Sequence, residues 1–160
     1  MVCIVVYFTN KGAHLRTNTE SDITANVFDY ADILSDEMEA SLDKVIAQKE
    51  EELHYDIAFV ILNESLEGRY NASPEHWVMN YADDFADNHK MGYDRAHGDS
   101  VVFVDNLFRE PSTGKVYSWL STSGRAMDGM DQYDCESILD EGLIDLDDYS
   151  KPNDYYNAYK

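Results

Sequence analysis

The chain has 160 residues, 44% hydrophobic and 28% charged, the make-up of one globular domain with a core of its own. Asp and Glu number 32 against 12 Lys and Arg, for a formal net charge of −20. That field repels phosphate backbones and anionic headgroups, which argues against nucleic acid as a partner; it draws cations and keeps the domain soluble.

The opening run, MVCIVVYF, is apolar but short, with no basic leader before it and no A-x-A cleavage pattern after it. An anchor or signal remnant, a strand and an added segment all stay open there. Residues 9–24 are polar and aperiodic and read as a linker. The organisation is therefore an N-terminal segment or linker over 1–25 and a domain over 26–160. Ser35 caps a first helix, with Asp36 and Glu37 at its positive end and Met38, Leu42, Val45, Ile46 and Leu53 on one stripe. The continuous apolar run Ile57–Leu62 suits a buried strand. Ser73 and Pro74 open a second helix with Trp77, Val78, Tyr81, Ala82 and Phe85 on its stripe, ending before Gly92.

Ser100–Asn106 and Lys115–Thr122 are two further strands, joined by a turn containing Pro111 and Gly114. Strand, helix, strand implies a right-handed parallel crossover, so Ile57–Leu62 lies parallel to Ser100–Asn106. The last two strands form an antiparallel hairpin. Asp134 caps a third helix through Ile138, Leu139 and Leu143, and Tyr155, Tyr156 and Tyr159 mark a short fourth. The expected core includes Leu42, Ile46, Phe59, Ile61, Trp77, Phe85, Val102 and Val104.

Several chemistries find no motif. Cys3 and Cys135 form no CxxC, and one disulfide between them stays open. Five histidines show no HExxH, and neither a phosphate-binding loop nor a GxSxG elbow occurs. DGMDQYDCESI lacks the ligand spacing of an EF-hand. No segment reaches the ~20 apolar residues that span a bilayer.

The order of the pieces is informative. VFDYADILS at Val27–Ser35, DIAFVIL at Asp56–Leu62 and YADDFAD at Tyr81–Asp87 are followed by MGY with HGDSVVFVDN, then STSGRAM, then ILDEGL with NDYYNAY. Together they resemble a TPM domain, the family named for a thylakoid lumen protein, a photosystem II repair protein and an acetylcholine-receptor modulator. YADDFAD and STSG are similar to the forms in bacterial, Firmicute-like members. The resemblance implies an αβα sandwich, an α/β fold with a small mixed sheet and helices on both faces. It implies a domain outside the cytoplasm, at the cell envelope, associated with a membrane through a flanking segment. Some members bind calcium, and some have been assigned acid phosphatase activity. Two departures stand out: Ser100 and Asn153 replace glycines usual in the family.

The topology gathers candidates at one end of the sheet. Asp99 opens one strand, Ser121, Thr122 and Ser123 end the next, and Asp83, Asp84 and Asp87 approach along the second helix. Asp84 flanks the apolar stripe, so Asp84 and Asp99 are the expected convergent pair, with Asp83, Ser121 and Ser123 as further oxygen donors. Carboxylates with hydroxyls suit a hard cation, calcium before zinc. The plain alternative is a solvated acidic helix face. Asp29, before the first helix, and Asp140, in the third, are secondary candidates; an Asx-turn explains Asp29 equally well. Arg125 is placed either to hold a phosphate or to pair with an acid.

The expected function is an accessory domain binding a divalent cation, an envelope protein or both, with no organic cofactor. The alternatives are a metal-assisted acid phosphatase and a structural adaptor without an ion.

Overall fold

The computed structural model describes residues 16–143 and 152–160. Four strands form one sheet in chain order: β1 (Val27–Asp29), β2 (Asp56–Leu62), β3 (Ser100–Glu110) and β4 (Lys115–Ser123). β1 and β3 both run parallel to β2, with Ile57 opposite Val101 and Leu62 opposite Asn106. β4 returns antiparallel along β3, from Ser123 opposite Ser100 to Tyr117 opposite Asn106, with an irregularity between Asn106 and Glu110. The sheet is thus mixed, as the strand–helix–strand pattern requires. β3 runs on to Glu110, beyond the apolar stretch that marks its core, because the hairpin continues outward from the sheet body.

Among the described residues five helices cover it: α1 (Asp36–Leu53), α2 (Pro74–Asn88), α3 (Arg125–Gly129), α4 (Gln132–Leu143) and α5 (Pro152–Tyr159). Alternation along the strands sorts them into layers. Ala58, Val60 and Leu62 of β2 and Val102 and Val104 of β3 pack with Val78, Ala82 and Phe85 of α2. The opposite face carries Ile61 and Phe59, packed with α1 and with Tyr155 and Tyr159 of α5. Val101 and Leu120 pack there with Ala126 of α3 and with Cys135, Ile138 and Leu139 of α4. Among the described helices, α2 covers one face, and α1, α3, α4 and α5 share the other. Each fully buried Leu, Ile, Val or Phe contributes about 1.5–3 kcal/mol.

Ser35 caps α1 through its side chain, which accepts from Met38 N. Leu42, Phe85, Ile61, Val102 and Val104 are buried as expected, whereas Phe59, Ile46 and Trp77 are half-buried. Phe59 sits at the seam with α5, its ring 4.7 Å from that of Tyr159.

Some local expectations are corrected. Asp131 stands before α4 with its carboxylate accepting from Asp134 N, while Asp134 accepts from Asp131 N. The two share the capping role that the sequence reading gives to Asp134 alone. Residues 16–22 have no regular structure, yet they are pinned to the domain. The Asn18 amide donates to the carbonyls of Lys90 and Gly92, and Thr17 N donates to Tyr93 O. Cys3 lies outside the described residues, so its relation to Cys135 stays open.

Candidate functional site

The Asp83 and Asp87 side chains, one turn apart on α2, border a cleft of about 290 Å³ against β4. Ser100, Ser121, Thr122, Ser123 and His97 complete its polar lining, and Met91 and Val102 form part of its apolar floor. Ser121 Oγ donates to Asp83 Oδ1 at 2.6 Å, joining helix to strand. His97 Nδ1 lies 3.1 Å from Asp87 Oδ1. Ser123 Oγ donates to Gly98 O at 2.6 Å and therefore accepts from Ser100 Oγ at 2.7 Å. The departure at Ser100 thus adds a buried hydroxyl beneath the cleft. The lining contains no lysine or arginine.

The expected pair, Asp84 with Asp99, is not brought together. Asp84 lies on the other side of the α2 stripe, where Tyr70 Oη donates to its Oδ2 at 2.8 Å. That contact and burial push the Tyr70 phenol up to about 12, burial contributing most. Asp99 accepts from Arg125 N at 2.7 Å and from Arg125 Nε at 2.5 Å. This carboxylate closes the corner between β4 and α3. A Cβ added at Gly124, whose φ is +61°, would lie 2.2 Å from Asp99 Oδ1. Only glycine fits that backbone and that close approach, which explains the glycine of STSG. Arg125, held by Asp99 and lying over the Tyr55 ring, is the acid-paired arginine and is not aimed into the cleft.

Asp29 is an Asx-turn. Its Oδ2 accepts from the Ile33 and Leu34 amides at 2.8 and 2.7 Å, and its Oδ1 from Ala31 N. Asp140 falls within α4, but its side chain lies outside the described residues. Of the expected donors, Asp83, Ser121 and Ser123 meet in one place.

Sequence reasoning missed four buried acids, of which Glu110 accepts from Ser112 N and Oγ at the hairpin turn. Asp105 in β3 is 2% exposed, accepting from Ser118 Oγ at 2.8 Å and from Tyr159 Oη at 2.6 Å. Burial pushes its carboxyl above the usual range, against those two hydroxyls. The same contact raises the Tyr159 phenol, burial again leading. Asp56, at the start of β2, is fully buried and accepts from Arg16 and from Gly92 N, each at 2.9 Å. Its Oδ1 has no hydrogen-bond partner. Glu50 of α1 accepts from Ile57 N at 2.7 Å. Burial raises its carboxyl to about 7, and the neighbouring Asp56 carboxylate acts in the same direction. A protonated Glu50 is the neighbouring donor that the unsatisfied Asp56 oxygen needs.

Among the described residues, no three His, Cys, Asp or Glu side chains come close enough together to hold a metal ion. The cleft instead offers two carboxylates, several neutral oxygens and the His97 imidazole, which is turned to Asp87. Such donors fit a hard cation that keeps part of its hydration shell; they do not fit zinc, which takes a closed set of nitrogen and sulfur ligands at structural sites.

Fold and cleft together define a three-layer α/β domain with an acidic groove between its single-helix layer and its edge strand. Residues 27–159 match the family model of the TPM domain, and the chain belongs to that family. No curated protein matches the chain.

Proposed function

We propose that this TPM domain is a non-catalytic accessory domain on the outer side of a membrane, taking a divalent cation, calcium first, into the cleft between α2 and β4. The observation that carries the reading is the position of Asp83 and Asp87 beside the Ser121–Ser123 hydroxyls in a cleft whose lining holds no lysine or arginine. Asp83, Asp87 and those hydroxyls would hold the ion, with water completing ~6–8 oxygen ligands. The placement at the envelope follows the family resemblance. Among the described residues no helix is long and apolar enough to cross a membrane; attachment through a flanking segment is part of what the family resemblance implies.

A phosphatase is the weaker reading. A phosphate entering the cleft meets Asp83 and Asp87 with no lysine or arginine to receive it, and Arg125 is held by Asp99. The net field of −20 opposes an anionic substrate as well.

Calorimetric titration with calcium and with magnesium tests the proposal. Calcium binding is expected in the natural chain and in Asp84→Asn/Asp99→Asn, and is lost in Asp83→Asn/Asp87→Asn. At a hundredfold excess over Kd the bound ion stabilises the fold by about 2.7 kcal/mol. Equal heats from both ions in all three proteins would leave only charge screening and sink the site.

A further inference from the structure

The two edges of the sheet differ in how they are guarded. β1 is three residues long and offers little to pair with. β4 is nine residues long and lies at the opposite edge. Its only charged residue is Lys115 at the start; Val116–Ser123 contains neither a charge nor a proline. The irregularity of the hairpin falls between Asn106 and Glu110, so the pairing of Tyr117–Ser123 is regular. Among the described residues, nothing except β3 hydrogen-bonds to the main chain of Val116–Ser123. Exposed edges in natural sheets are ordinarily blunted by charge, proline, bulge or cover, because their free N–H and C=O groups template another strand. In a chain with 28% charged residues, an uncharged edge of this length is suited to strand addition.

We infer that the outer edge of β4 accepts an extended, lysine- or arginine-bearing segment of a partner protein as a fifth strand, its basic side chains reaching Asp83 and Asp87. Charge decides the occupant. A second copy of this chain brings another −20 to the edge, whereas a basic segment is drawn by the same field. The acids also stand in the right place. Ser121, on the α2 face of β4, holds Asp83 at 2.6 Å, and the cleft with Asp87 opens alongside. An added strand lies about 4.8 Å from β4. From that distance a lysine on the α2 face extends over the cleft carboxylates. Main-chain pairing supplies affinity and the alternate basic residues supply selectivity, the usual division in strand-addition recognition.

The probe is a blocked nine-residue peptide of alternating lysine and threonine, titrated into the full chain in chelator. Metal-free conditions keep the result separate from calcium entry into the cleft. The peptide is expected to bind, to slow amide hydrogen exchange within Val116–Ser123, and to lose roughly tenfold or more in affinity with Asp83→Asn/Asp87→Asn. A fully N-methylated peptide of equal charge, and one with glutamate for lysine, are expected not to bind. Equal binding of the N-methylated peptide would reduce the interaction to diffuse charge and overturn the inference. So would binding without protection of the β4 amides. A peptide-free dimer with those amides already protected would show that a second copy takes the edge, and would overturn it too.

Discussion

Two sets of acids in this chain contrast in their surroundings. Asp56, Asp105 and Glu50 are enclosed by the fold, and their oxygens are largely committed to hydroxyls, amides and one guanidinium. Asp83 and Asp87 stand exposed at the rim of a cleft, and each has one described side-chain contact. Net charge treats these groups alike. Their surroundings separate a set that holds the molecule together from a set with ligand capacity to spare.

The sharpest break between the sets is expected at Asp56. Asp56→Ala strands the half-buried Arg16 guanidinium and the Gly92 amide, and should lower unfolding free energy by about 3–5 kcal/mol in urea titrations. A loss below about 1 kcal/mol would remove Asp56 from the structural set.

Glu50 gives the next largest effect. In the folded chain it keeps its proton up to about pH 7, against about 4.3 when unfolded. The folded state binds the extra proton between those values. Its contribution is therefore fully present below about pH 4.3 and is lost as pH rises through about 7, by up to about 3.7 kcal/mol. Urea midpoints across that window should fall with rising pH, and Glu50→Gln should flatten the profile. A rising profile that the variant leaves unchanged would contradict the assignment.

Tyr159→Phe tests the third enclosed acid. It removes the Oη donor from Asp105 and should cost about 1–3 kcal/mol. The smallest effect belongs to the other set: Asp83→Asn and Asp87→Asn should each move stability by no more than about 0.5 kcal/mol, while abolishing calcium uptake. A large stability loss there would merge the two populations.

The strands and long helices were legible because their apolar spacing is local. The stripe of α1 shows where such reading stops. Glu50 stands four residues after Ile46, the slot an apolar residue would fill, and its charge hid its place in the interior. Asp105 has the strand alternation of a buried position, but the Tyr159 hydroxyl that makes the position tolerable lies 54 residues away. On the helix wheel Asp84 flanks the apolar stripe, whereas Asp83 shares the opposite, wetter face with Asp87. Which of them meets the hydroxyls depends on where β4 lies against α2, and no local pattern carries that. Asp99 was correctly placed at the end of the sheet with Ser123 and Gly124; its bond to Arg125 needed coordinates.

The spatial order of the strands is also their order in the chain. Each strand that emerges during synthesis pairs with the one made just before it, and none must be inserted between two already joined. The sheet can therefore be laid down vectorially, from β1 outward, each parallel pairing waiting for the helical connection between its strands. One step cannot be early. Asp105 is laid into β3 while the Tyr159 hydroxyl belongs to the last turn of α5. A nascent or truncated chain without α5 must carry that carboxylate half-satisfied, so the final helix acts as the seal on an otherwise sequential assembly.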